Sequence, residues 1–274
     1  MADYKITVGN CEIISLHDLD LDFPAAMMFP NVPMPEFEAY RDLYPQSFGK
    51  IGYAADCGAY AIRSAGKTIV VDTGIGPGPI AMLGGLTGNL VPDMKAKGVP
   101  PESVDIVVHT HLHVDHVGWN MTDGAPTFPN ATYYGPQADY ELFSQNLDAN
   151  PHMQQVIPLK EMGKLELYSG EIALTPELTT MPTPGHTPGH SSMLLNSNGE
   201  KILITGDLAH HPAQVDRTDW SPSFDTYGAV AAATRKKVME RLEAEGHAAA
   251  FCHFVGSGFG RIVRQGNRRV FQAL

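Results

Sequence analysis

The segment "YKITVGNCEIISLHD" alternates β-branched and polar residues, the rhythm of an edge or half-buried strand. That rhythm then breaks. Residues 18 to 50 hold five prolines, three methionines and six aromatics (Phe23, Phe29, Phe37, Tyr40, Tyr44, Phe48), with neither a helical nor a strand period. So long an irregular apolar stretch is expected to be a lid over a site, an arm across a partner, or a loop packed on the core. "GYAADCGAYAIRSAGKTIVVDTG" predicts two strands around the turn Ser64-Ala65-Gly66-Lys67, ending at Asp72. A helix is expected over about residues 89 to 97, and "VDIVVHT" reads as a short buried strand. Further strands are expected near "ATYYG", "KLELYS" and "ELTTMP", with a helix starting near Pro136 and a hairpin over "SSMLLNSNGEKILITGD". "DTYGAVAAATRKKVMERLEAEG" predicts a helix with Val230, Thr234, Val238 and Leu242 on one face and Gly246 as its stop. "AAAFCHF" follows as a last strand. Two similar halves emerge, each mixing strands and helices, with unusual polar residues at strand ends.

Composition narrows the class. A chain of 274 residues that is 43% hydrophobic is expected to form one large domain spanning 1–274. Nineteen basic against thirty acidic residues give a net charge of -11, which disfavours nucleic acid and suits a small, neutral or modestly charged substrate. No basic leader with an apolar run opens the sequence and no stretch is apolar enough to span a membrane, so the expectation is a cytoplasmic protein. Cys11, Cys57 and Cys252 are too few and scattered for a disulfide framework or a cysteine zinc ribbon. Twelve histidines are the unusual feature.

Four of them, with one aspartate, crowd the positions from His109 to His116 in "VVHTHLHVDHVG". Divalent transition metals take neutral imidazole and carboxylate ligands, and His111, His113, Asp115 and His116 offer four within six residues. On a strand or tight loop His111 and His113 share a face, while Asp115 and His116 turn toward a neighbouring point, which suggests two adjacent metals. Both remain short of ligands. His186 in "PTPGHTPGH", Asp207 in "LITGDLAHH" and His253 in "AAAFCHF" are the distant candidates.

In that order, with the upstream "TIVVDTG", these motifs resemble the metallo-β-lactamase fold superfamily of metallohydrolases over residues 68 to 253. The resemblance implies an α/β (α+β) fold, a four-layer αββα sandwich of two mixed β-sheets flanked by helices, with the metal site at one edge. It places His111, His113 and His186 on one metal, Asp115, His116 and His253 on the other, and Asp207 as the bridging carboxylate. Two divalent ions, zinc before manganese, iron or cobalt, are the implied cofactors. Asp72 and His190 match the residues that hold the outer nitrogens of ligand imidazoles. His109 lies where the pattern fixes no histidine and is expected not to touch a metal; His17, His152, His211 and His247 have no motif support. Cys252 is expected to be a small buried hydrophobe. "GIGPGP" lacks dinucleotide-binding spacing and reads as a turn.

Fold alone does not choose a reaction. Flavo-diiron proteins carry glutamate at the position of His113, and true β-lactamases of this fold usually lack the carboxylate of Asp207. Processing ribonucleases share the site but suit an acidic chain poorly. The layout is most similar to the lactonase and organophosphate-hydrolase branch, which implies that a metal-bridging hydroxide opens a lactone or a related carboxylic ester of a small, lipophilic substrate. Thioester (glyoxalase II-like) and phosphotriester hydrolysis stay open, as does a mono-iron persulfide dioxygenase. Acyl homoserine lactonases of the branch typically carry a tyrosine where this chain has His210, a departure from their substrate pattern; His210 as donor to the substrate oxyanion and Asp115, or else Asp207, as proton shuttle are the candidate catalytic residues. Phe23 and Phe29 are expected to wall the substrate pocket if the irregular loop is a lid; as an arm, it would serve a homodimer instead.

Overall fold

The computed structural model describes residues 4–80 and 84–274. The opening alternation forms a hairpin, β1 (Lys5–Val8) and β2 (Cys11–Phe23). The irregular stretch is therefore shorter than the sequence pattern suggests: residues 18–23 belong to β2, and two short helices follow, α1 (Ala25–Met28) and α2 (Met34–Glu38). Prolines at the first turn of α2 and just before α1 hid those helices from a periodicity reading. β3 (Tyr53–Ser64) and β4 (Lys67–Val71) join through Ala65 and Gly66, both at positive φ as a tight hairpin turn demands. α3 (Leu90–Ala96) leads to β5 (Ile106–Val108), and one helical turn, α4 (Val114–Val117), comes directly after. A small ladder of β6 (Met121–Thr122) and β7 (Ala125–Pro126) precedes β8 (Thr132–Pro136), α5 (Gln137–Phe143), α6 (Ile157–Glu161) and β9 (Leu165–Tyr168).

The second half runs through β10 (Leu178–Pro182), β11 (Ser191–Ser197), β12 (Glu200–Ile204), α7 (Gly228–Glu245) and β13 (Ala248–Ala250). "AAAFCHF" is not the last strand: β14 (Phe259–Gln265) and β15 (Arg268–Ala273) extend the sheet beyond it. Among the described residues, no helix is long and apolar enough to cross a membrane.

Two mixed sheets result, ordered β1-β2-β3-β4-β5-β8-β9 and β10-β11-β12-β13-β14-β15. Alternation assigns each strand two faces. Ile69, Val71, Ile202 and Ile204 enter the core between the sheets, while Val70 faces α3 and its neighbours and Leu203 faces α7. Helices on the two outer faces complete the αββα sandwich. Each buried Val, Leu or Ile contributes roughly 1.5–3 kcal/mol on leaving water, so strands buried on both faces anchor the site more firmly than any loop.

Two parallel pairs decide where the site lies. β4 with β5, and β12 with β13, end in the same direction, so their carboxyl ends gather polar residues at one edge. A bulge in β2 between His17 and Leu19 re-aims buried Asp18, whose carboxylate accepts Ile75 N, Leu90 N and Trp119 Nε1 at 2.6, 2.7 and 3.0 Å. It thereby pins the turn after β4 to α3 and to the chain beyond α4.

The α7 face also differs from its sequence pattern. Ala231, Arg235, Val238, Met239 and Leu242 are buried, whereas Val230 is exposed. The arm of residues 24–48 packs on its own chain: Phe29 and Phe37 meet Trp220, and Phe37 and Phe48 lie against His211.

Candidate metal centre

Buried acceptors shape the histidine loop. At the end of β4, Asp72 accepts Thr110 N and Thr110 Oγ1, each at 2.8 Å, and His116 Nδ1 at 2.9 Å. Asp139 accepts Leu112 N at 3.2 Å, Thr187 Oγ1 at 2.7 Å and Gly189 N at 2.6 Å, tying the run to the loop that carries His186. Gly118 lies so close to the backbone of Ile75 that a side chain there would overlap it. The sequence led us to expect a strand or tight loop throughout; the structure instead turns helical after His113, which swings Asp115 and His116 away from His111 and His113.

Outer hydrogen bonds set the imidazole tautomers. His116 Nδ1 donates to Asp72, His186 Nδ1 to Asp225 Oδ1 at 2.9 Å, and His253 Nδ1 to the Asp56 carbonyl at 2.8 Å. Thr110 gives its proton to Asp72, so its oxygen accepts from His111 Nδ1 at 3.0 Å. In its neutral form each of these four rings then turns a bare Nε2 inward.

Those nitrogens converge on Asp207. Its Oδ2 lies 3.2 Å from His186 Nε2 and 3.7 Å from His111 Nε2, and His113 Nδ1 sits 2.9 and 3.1 Å from those same nitrogens. Its Oδ1 lies 3.0 Å from His116 Nε2 and 3.2 Å from His253 Nε2, with Asp115 Oδ2 at 3.9 and 3.7 Å from those two. Tetrahedral coordination with bonds of 2.0–2.1 Å gives donor separations of about 3.4 Å. Lone pairs facing carboxylate oxygens at such distances repel unless cations lie between them. The donor set therefore fits two divalent cations with Asp207 shared.

The same demand shows in the proton affinities. Burial lowers His186, but Asp207 and Asp225 outweigh it and carry the ring up to about 9. His116 likewise rises against burial because of Asp207 and Asp72. Burial and neighbouring imidazoles push His111 and His113 well below the usual range, which keeps them neutral. Burial would raise Asp207, yet the surrounding histidines hold it ionised.

The remaining candidates fall into distinct places. His190 donates to Thr183 O and accepts the backbone N–H of Asp207 at 3.0 Å; it holds the main chain of Asp207 and none of the inward-facing imidazoles. Gly206 before it adopts φ +55°, and a Cβ there would meet His190 Nε2 at 2.8 Å. His210 Nε2 lies 3.0 Å from Asp207 Oδ2, and its ring stacks on His253. Its backbone is fixed by Gln214 Oε1 at 2.7 Å and Tyr53 Oη at 2.9 Å. His109 is fully buried with neither ring nitrogen bonded, 3.7 Å from Asp72. Phe29 is fully buried and leaves no surface for a ligand, and Phe23 is half-buried beside the same aromatic cluster, so the pocket-wall expectation fails for Phe29. Cys252 Sγ donates to Asp207 Oδ1 at 3.5 Å, and Cys57 Sγ to the Asp115 carbonyl at 3.5 Å; both are buried.

Sequence reasoning missed Asp18, Asp139, Asp225 and Arg235. No motif marks them, and only their burial, with partners far along the chain, identifies them.

Residues 55–253 match the metallo-beta-lactamase superfamily family model. N-acyl homoserine lactonase AttM of Rhizobium radiobacter is 34% identical over 128 residues, 44% of this chain and 47% of AttM, so the likeness spans about half of that relative. An N-acyl homoserine lactonase of Bacillus sp. is 26% identical over 202 residues, covering 67% of this chain and 76% of that protein. Among solved structures, hydrolase AbOPH of the beta lactamase superfamily superposes with a TM-score of 0.87 at 25% identity, over 99% of this chain and 97% of that one. AidC, a dizinc quorum-quenching lactonase solved with a product, gives 0.82 at 23% identity, over 98% and 96%. With the match running from β3 to the last inward-facing imidazole, this chain belongs to the metallo-β-lactamase superfamily.

Proposed function

We propose that the chain is a dinuclear metal-dependent hydrolase that opens a lactone or cleaves a related carboxylic ester of a small, lipophilic substrate. The observation that carries the reading is Asp207, whose two oxygens each face a separate set of inward lone pairs. Relatives named N-acyl homoserine lactonases support the choice of a lactone. His111, His113, His186 and Asp207 would hold one cation; Asp115, His116, His253 and Asp207 the other. Bound there, two zinc ions would act as Lewis acids toward the ester carbonyl and toward water.

The chain's own residues do the rest. Asp115 keeps 22% of its side chain exposed, against 1%, 3% and 4% for His116, Asp207 and His253, so it is the ligand placed to pass a proton to the leaving alkoxide. Burial lowers His210 to about 4, which keeps its imidazole neutral; its single N–H, on the Nε2 that faces Asp207, would have to turn from that carboxylate to reach a substrate oxygen. Tyr227 and, two residues before Thr226, Phe224 are exposed on the segment bonded to the loop of His186, and would offer the apolar wall that Phe29 does not.

Metal analysis with a panel of lactone, aryl ester, thioester and phosphotriester tests this. Two divalent cations per chain, loss of activity on chelation and fastest turnover of a lactone are expected. Fastest turnover of the thioester or phosphotriester would replace the substrate; oxygen consumption on a single iron would replace the reaction. An Asp115→Ala protein with full activity would end the mechanism.

A further inference from the structure

α7 is solvent-facing over much of its surface, yet one of its arginines is the largest fully buried side chain of the described residues. Arg235 is 0% exposed. Taking a guanidinium out of water costs several kcal/mol unless its donors are matched. Four of its five N–H groups are: Nε donates to Leu208 O at 2.7 Å, Nη1 to Thr218 O at 2.9 Å and Trp220 O at 2.8 Å, and Nη2 to Asp225 Oδ2 at 3.2 Å.

One of those contacts leads to a single ligand of the metal centre. Asp225 turns its other oxygen to His186 Nδ1, which fixes the tautomer that leaves Nε2 bare toward Asp207. A rigid fork of donors thus holds the carboxylate that orients His186. His116 and His253 receive no such support: their outer nitrogens end on Asp72 and on the Asp56 carbonyl.

We propose that Arg235 is a positioning residue that holds His186 through Asp225, so that it governs cation affinity at the His111–His113–His186 position specifically. This rests on the two-cation reading above. Outer-sphere partners of ligand histidines typically change affinity 10–100-fold, so Arg235→Met is expected to weaken one of the two zinc affinities by roughly that factor and to leave the other unchanged.

The experiment is stepwise chelator competition on the zinc-loaded full chain, with circular dichroism as the check on folding. His186→Ala should abolish the same step, and Arg235→Met should have no further effect in the His186→Ala background. Should Arg235→Met fold poorly, Asp225→Asn keeps the guanidinium buried and an oxygen facing it. Its amide N–H, however, meets His186 Nδ1 and forces the tautomer that carries hydrogen on Nε2. The same selective loss is expected. Equal weakening of both steps, unchanged affinities, or a further loss in the His186→Ala background would overturn the proposal. A wild-type chain that binds no zinc would instead overturn the two-cation reading.

Discussion

Around one oxygen of Asp207 stand His111, His113 and His186, with His210 also 3.0 Å from it; around the other stand His116, His253 and a second carboxylate, Asp115. The second set would bring the full charge of Asp115 and a share of that of Asp207 to a cation, the first only a share of Asp207's. Each cluster takes two residues from the same short run and one from a distant loop. Their supports differ in kind. His186 is backed by a carboxylate that is itself clamped by a buried guanidinium, while His253 is backed by a main-chain carbonyl. Ligand charge thus favours the second set, while a guanidinium-clamped carboxylate distinguishes the first; His116 too has a carboxylate behind it, Asp72, but one with no arginine on it.

The severest test removes what the clusters share. Asp207→Ala is expected to cut kcat/KM by more than the 10–100-fold typical of outer-sphere changes, and to leave fewer than two tightly held cations per chain by metal analysis. Asp72→Asn comes next. Asp72 contacts His116 directly and His111 through Thr110, so both stepwise zinc affinities should fall, by about 10–100-fold for His116 and less for His111. A loss confined to one step would show that Thr110 transmits nothing. Tyr53→Phe removes a buried bond to the His210 carbonyl and should cost about 1 kcal/mol in urea unfolding, with cation affinities unchanged.

A control concerns the sheets rather than the clusters. Glu177 accepts Cys11 Sγ, Ser64 Oγ and Ser197 Oγ across the sandwich, and these bonds lower its carboxyl from 4.5 to about 2. A lowered folded value means that the stabilisation is present above pH 4.5 and fades as pH falls toward 2. The gap in melting temperature between wild type and Glu177→Gln should therefore narrow over that window, while the ratio of the two zinc affinities measured at neutral pH stays that of wild type. The smallest effect belongs to His109→Leu. With no bonded ring nitrogen to lose, it should change stability by under about 1 kcal/mol and leave both affinities intact.

What could be read beforehand follows the same division. The ligand run was legible because six positions carried four donors, and the distant His186, Asp207 and His253 because each stands in a short motif. Strands buried on both faces announced themselves as apolar runs. Arg235 did not, because a charged residue within a helix reads as solvent-facing, and its burial depends on carbonyls of Leu208, Thr218 and Trp220 that only the fold delivers. Val230 misled for the same reason, since its spacing fits a buried face that the helix turns to solvent. Proline at the starts of short helices hid α1 and α2, and "RIVRQGNRRVF" at the end was passed over although its Gly-Asn turn joins two strands.

The thiols beneath the centre offer one practical consequence. Cys252 touches the shared carboxylate and Cys57 touches the main chain of Asp115, and both are closed to solvent. A labelling reagent reaches them only when the surrounding residues part, so the rate at which they are modified is a clock for the local opening of the site. Nature has placed an unlabelled reporter within bonding distance of the residues whose order matters most, and it can be read by mass alone.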